Sequence, residues 1–447
     1  DYGQTFRSLN GNLAGEVART LTEDIRNADV LYLGTETGLF VTTDRGRGWQ
    51  RIKANLPTVR IDEITLHPRD NAMLLATHGR AIWILDHLEP IQEYTKAQQT
   101  TADAALFTPP PFAWYQRPAR DRNYEFWGDQ TFFGENPPQA AVVSWTNKKA
   151  VGDVKLRITD AGGREVREIS GPVLNNSKSA GLQAACWDLR VQPVPTANVG
   201  QQPGGPQGGG RQGGGAQPDQ RENTYGAGCT GGGSFGGFGG GGGGNPGPYV
   251  LPGVYNVSLI VDGKAIDTKP MRVMADREVA LTEAERKRLH DMSMELHALQ
   301  RRTNDVIEVI VPVQRQMPEV MKQVAAKSDL PADVKAQAEA ADKELTALVT
   351  KLVPPGGGRG GRAGGGEAGT PSPIARAAQA KNGLMAGMWP TQATMTAYND
   401  AKTGVPAAIT EANAMTSKLQ ALSAALAKVG ITLTVAAPPK SGTDGAR

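Results

Sequence analysis

Val30–Asp44, VLYLGTETGLFVTTD, decides the fold once it is laid against Ala72–Asp86, AMLLATHGRAIWILD. The two stretches align without gaps, 42 residues apart. Each is a β-rich run, a turn containing glycine, and a second β-rich run that ends on Asp, the pattern of an antiparallel hairpin. Short strands repeated every 40 to 45 residues or so are the sequence signature of β-propeller blades. The first hundred residues are therefore expected to be the terminal part of a propeller.

Beyond Asp44 the second hairpin of the repeat carries a further pattern. Thr42, Asp44, Gly46 and Trp49 place a short polar residue, an acid, a glycine and an aromatic at fixed offsets. Such a set suits a turn in which the carboxylate accepts backbone N–H groups, glycine permits positive φ, and the ring packs beneath. Asp1, Gly3 and Phe6 repeat three of those places 43 residues earlier. Asp44 is thus expected to hold a turn and not to act as a catalyst.

The motif resembles the Asp-box, or BNR repeat, of sialidases, some endoglucanases and sortilin-type propellers. The stretch ATHGRAIWILDHLEPIQ, Ala76–Gln92, resembles the exit from the last blade in large bacterial BNR-repeat proteins labelled glycosyl hydrolase or sortilin-like. Pro90 would prevent a normal fourth strand there. The resemblance implies terminal blades over residues 1–97, with the Asp-box turns peripheral and away from the ligand face. About two blades cannot close a ring, so the partners expected first are upstream blades of the same protein. It also implies a periplasmic or secreted location.

Composition narrows the partners further. With 48 basic and 45 acidic residues in 447, the net charge is +3, too balanced to draw the chain to nucleic acid or anionic membrane. No apolar run of about 18 residues is present, so no membrane span is expected. No cofactor motif stands out, and the two cysteines, Cys186 and Cys229, with five scattered histidines suggest no metal site. A disulfide between those cysteines and a pair of free thiols are both open readings.

Residues 98–139 read as a linker with an aromatic-rich packing segment, in which Tyr124, Phe126 and Trp127 fall within four residues. Trp127 is either a sugar-stacking platform or, as favoured here, an interface residue. Residues 140–276 alternate in strand fashion around hairpin signals at Gly162-Gly163 and Asp262-Gly263, which predicts an immunoglobulin-like or fibronectin-III-like β-sandwich. The order of its motifs, Trp187-Asp188-Leu189-Arg190 and then Pro252-Gly253 with Tyr255 and Val257, is similar to that of the equivalent domain in the BNR-repeat group. A glycine-rich insertion, 199–248, has too few aliphatic residues to offset its ordering entropy and is expected to be disordered.

The remainder predicts a helical bundle over 277–432, with a glycine-rich linker at 354–372 and a disordered tail at 433–447. Thr282 and Glu285 have capping-box spacing, and Leu289, Met292, Leu296 and Leu299 form one apolar stripe. This first helix is expected to run from Leu281 to Ile310. His290 and His297, seven apart, read as a solvated face.

The fold class is thus multidomain, mainly β then α: a partial β-propeller, a β-sandwich and a helical bundle. Two functions follow. The first is a structural, ligand-supporting part of an exported protein whose complete ring binds a glycan or peptide. The second is part of a glycoside hydrolase, whose chemistry needs paired carboxylates. Glu36 and the Asp62-Glu63 pair are the carboxylates worth naming, and none of them makes a convincing pair, so the catalytic acids would lie upstream. Glu36 and Trp127 are carried forward as ligand-facing candidates.

Overall fold

The computed structural model describes residues 2–53, 55–113, 140–194, 246–352 and 373–437. It contains antiparallel and mixed sheets followed by long helices.

The opening repeat forms two antiparallel meanders. The first sheet orders β1 (Ala18–Glu23), β2 (Leu31–Thr35), β3 (Leu39–Thr42) and β4 (Gln50–Ile52); the second orders β5 (Ile61–His67), β6 (Ala72–Thr77) and β7 (Ile82–Leu85). Tyr32, Leu39, Val41, Ile61, Ile64, Met73 and Leu75 from both sheets share one core. The sheets approach so closely that a Cβ on Gly34 would lie 2.7 Å from Thr20 Cγ2 and 2.8 Å from the Ile61 carbonyl. Glycine is required there by space alone.

Several apolar side chains pointing the other way are exposed. Leu21 on β1 and Ile82 and Ile84 on β7 are 53, 71 and 62% exposed. Alternation along each strand sends them to the face opposite the shared core.

Pro90 ends the strand pattern as expected, by opening a short helix, α1 (Glu89–Gln92), followed by α2 (Tyr94–Gln99). Proline suits a first helical turn because its missing N–H would have no partner there. The segment read as a linker, 98–139, also supplies strands, β8 (Ala104–Leu106) and β9 (Phe112–Ala113). Three residues or fewer are too short to register as a periodic signal, and they are recruited by pairing with distant strands.

Those strands complete a second pair of sheets. One orders β13 (Gly181–Trp187), β10 (Ala141–Asn147) and β8; the other orders β12 (Glu165–Ile169), β11 (Val154–Thr159), β14 (Gly253–Val261), β15 (Lys264–Met274) and β9, the last pair parallel. Trp145, Trp187, Leu156, Ile158, Val257 and Leu259 fill a common core. Trp187 meets Tyr255 edge-on at 5.4 Å, and the Tyr255 hydroxyl donates to the Leu251 carbonyl at 2.6 Å.

Four helices share the third core: α3 (Glu283–Ala326), α4 (Ala332–Leu352), α5 (Pro373–Leu384) and α6 (Gln392–Lys428). The Thr282–Glu285 capping box forms as predicted, and the Leu289, Met292, Leu296, Leu299 stripe is buried. However, α3 runs 16 residues past Ile310, through Pro312 and Pro318. Each internal proline costs about 3 kcal/mol, whereas Val313, Met317, Val320 and Val324, all buried, each return about 1.5–3 kcal/mol. Burial wins.

The first residues assigned to the tail pack instead against the helices. Ile431 and Leu433 are buried in the helical core, and the Thr434 N–H donates to Gln316 Oε1 at 2.9 Å. Among the described residues, no helix is long and apolar enough to cross a membrane.

Candidate functional site

Antiparallel pairing gives the first two sheets distinct ends. At one end lies the turn after β3. The Thr42 hydroxyl, fully buried, donates to Asp44 Oδ1 at 2.7 Å and accepts the Gly46 N–H at 3.0 Å; Asp44 Oδ1 also accepts the Gly48 N–H at 3.0 Å. Gly46 has φ +79°. Trp49 is buried, and its indole N–H donates to the Leu9 carbonyl at 2.8 Å. The Thr42 hydroxyl, and then the Gly48 amide, hold the Asp44 carboxyl below the usual range. Through Oδ1 this carboxylate holds its own turn, the arrangement of a structural acid.

The earlier copy is only partly alike. Gly3 has φ +82°, matching Gly46, but Phe6 is 93% exposed. It therefore does not pack beneath its turn as Trp49 does, and Asp1 lies outside the described residues. Among those residues no strand precedes β1 to supply the missing surface.

The same end holds a buried polar network. Asp24 accepts the Tyr32 hydroxyl at 2.8 Å and the Gln92 amide at 2.8 Å; Gln92 and Asn71 exchange bonds at 2.9 Å, and Asn71 donates to Glu89 Oε1 at 2.8 Å. Burial, with the Asp24 charge, pushes the Tyr32 phenol up. The network fastens α1 across the ends of both sheets.

At the opposite end lie the β2–β3 turn, the β4–β5 loop and the β6–β7 turn. Glu36 is there, bound to Arg19. Arg60 Nε sits 2.7 Å from Asp62, and His78 Nδ1 lies 2.6 Å from the same guanidinium. Glu63 is exposed. A groove of about 240 Å³ runs between Gly38, Arg51, Lys53, Leu56, Pro57 and Thr58. Arg51 is held there by the Thr37 carbonyl and Thr58 Oγ1. Each named carboxylate except Glu63 is paired with an arginine.

Cys186 is buried at the end of β13 and is disulfide-bonded. Cys229 and Trp127 lie outside the described residues.

A third polar constellation was missed by periodicity. His290 and His297 do not face solvent. They belong to a stripe along α3, with Arg286, Ser293 and Gln300, turned toward the second sheet pair. His290 Nδ1 donates to the Tyr249 carbonyl and His297 Nε2 to the Gln192 carbonyl, both at 2.9 Å, while Arg286 donates to the Val279 carbonyl at 2.8 Å. Lys381 on α5 is 1% exposed; its ammonium donates to the Pro246 carbonyl at 2.8 Å, to Gln300 Oε1, and to His297 Nδ1 at 3.4 Å. Arg190 donates to the Gly247 carbonyl at 2.9 Å and stacks on the Tyr249 ring at 3.6 Å. A Cβ on Gly247 would lie 2.2 Å from the Val191 carbonyl.

These contacts clamp the two chain segments that flank the glycine-rich insertion, around Gln192 and Pro246–Tyr249. Burial, and then the Lys381 charge, push His297 down to about 4; burial, and then Arg190, push Lys381 down to about 8; burial also lowers His290. Among the described residues, no group of acids, histidines or cysteines is arranged to hold a metal ion. No family model, curated protein or solved structure matches the chain.

Proposed function

We propose that the chain is the C-terminal part of an exported propeller-type protein whose complete ring captures a glycan or peptide. In this reading the first two sheets are terminal blades of the ring. The second sheet pair is an immunoglobulin-like sandwich, and the four helices form a bracing bundle. The observation that carries it is the stack of two meanders with apolar residues uncovered on both outer faces, Leu21 on one and Ile82 and Ile84 on the other. A radial array would cover such faces with neighbouring sheets. The hydrogen-bonded Asp44 turn supports a structural Asp-box, and the arginine-rich loops at the opposite end support a ligand side turned away from it.

The pairing of Glu36 with Arg19 and of Asp62 with Arg60 favours ligand support over hydrolysis by these residues. A glycan array, a peptide library and a glycosidase-substrate panel, run side by side on the chain, test the reading. Saturable binding without turnover supports it. Turnover abolished by Glu36→Gln at unchanged melting temperature overturns it in favour of the glycoside hydrolase.

A further inference from the structure

We infer that the contact between the helices and the second sheet pair is an acid-opened clasp, in which His297, His290 and Lys381 hold the chain on either side of the glycine-rich insertion. The geometry supplies the mechanism. Both imidazoles reach main-chain carbonyls of the sheet segment through a single N–H, His290 through Nδ1 and His297 through Nε2. In the neutral ring the other nitrogen is an acceptor, and for His297 that acceptor faces the Lys381 ammonium. All three ammonium hydrogens are used, on the Pro246 carbonyl, Gln300 and His297. A proton added at His297 Nδ1 would set donor against donor, and cation against cation, in a site closed to water.

No carboxylate among the described residues contacts Lys381 or His297 to absorb that charge. The charged neighbours are Arg190 from the chain after β13 and Arg301 on α3, both of the same sign. His290 has Asp291 and Lys287 on its own helix and Arg164 from the sheet side. On α6, which packs against α5, Asp400 is taken by Arg376, and Lys402 by Glu295. The re-entering segment Pro246–Pro252 brings no charge.

The sign follows from linkage. All three groups bind protons less readily in the closed clasp than in water, so opening takes protons up and acid favours the open form. The histidines act between the ordinary value near 6.5 and the buried one, about 4 for His297. Lys381 acts in the same direction between about 8 and the ordinary 10.5. For His297 alone, the open form should be roughly thirty-fold more populated at pH 5 than at pH 7.5.

Hydrogen–deuterium exchange on the whole chain tests this, with rates corrected for the intrinsic effect of pH. The probes are the Val191 and Val250 amides, which bond the Pro248 and Leu189 carbonyls and so join the two segments that the clasp holds; amides of β2 and β3 serve as the reference. The expected result is a selective loss of protection of roughly thirty-fold at the probes between pH 7.5 and 5. His297→Gln keeps an N–H for Gln192 and an acceptor for Lys381 but cannot titrate, and should flatten most of that response. Lys381→Met, which removes the neighbouring cation, should weaken it. Constant protection down to pH 5, a parallel loss in the reference strands, or an unchanged response in folded His297→Gln would each overturn the clasp; the wild-type profile decides even where a variant does not fold.

Discussion

At the residue scale, Thr42 rather than Asp44 is the keystone of the turn after β3. Its hydroxyl is buried and makes bonds to both Asp44 and Gly46, whereas Asp44 is exposed. Thr42→Val should therefore lower stability by about 1–3 kcal/mol, and Asp44→Ala by no more than about 1 kcal/mol, both read from chemical denaturation. The Asp44 carboxyl is depressed in the fold, so its small contribution is present at neutral pH and fades only as acid titrates it. Gly34→Ala should cost about 1–3 kcal/mol through overpacking, because the atoms it meets include the Ile61 backbone. The Thr42–Trp49 turn was legible because its residues lie within seven positions of one another. His290 and His297 were not, since helical periodicity counts histidine as polar and the carbonyls they serve, at Tyr249 and Gln192, are 41 and 105 residues away.

Elements show the same division between local and distant causes. The hairpins, the capping box and the apolar stripe of α3 could be read from spacing, and the structure contains them. The continuation of α3 past Ile310 could not, because its justification is the core contributed by α4 and α6, which no local rule weighs against proline. Strand β8 was hidden for a related reason: its pairing partner, β10, begins 35 residues after it ends. The exit helix α1 gives a prediction of its own. Gln92→Leu would strip Asp24 and Asn71 of their shared partner, costing about 1–3 kcal/mol for the buried groups left unpaired. Limited proteolysis should then cut within 86–100 sooner than in wild type, and cleavage at an unchanged rate would count against the network as the fastener of α1.

For the whole molecule, specific polar contacts tie the three cores together. Glu93 beside α1 bonds Lys269 on β15 at 2.8 Å, and the clasp joins the second sheet pair to the helices. Within the second sheet pair, Cys186 is disulfide-bonded. With two cysteines in the sequence, its partner is expected to be Cys229, closing a loop of about forty residues. Reduction should then lower stability by about 2–4 kcal/mol, and an unchanged denaturation midpoint under reducing conditions would refute that pairing. The uncovered faces at Leu21 and Ile84 should make the chain associate with rising concentration, which sedimentation velocity would register. The clasp itself has a bearing on inheritance. It grips carbonyls, which every amino acid carries, so the re-entering segment can accumulate substitutions without losing its hold, while Gly247, His297 and Lys381 cannot. Across descendants of this sequence, change should therefore be more frequent at gripped positions such as Gln192 than at the side chains that grip them, with Gly247 the exception, held by the 2.2 Å approach of the Val191 carbonyl.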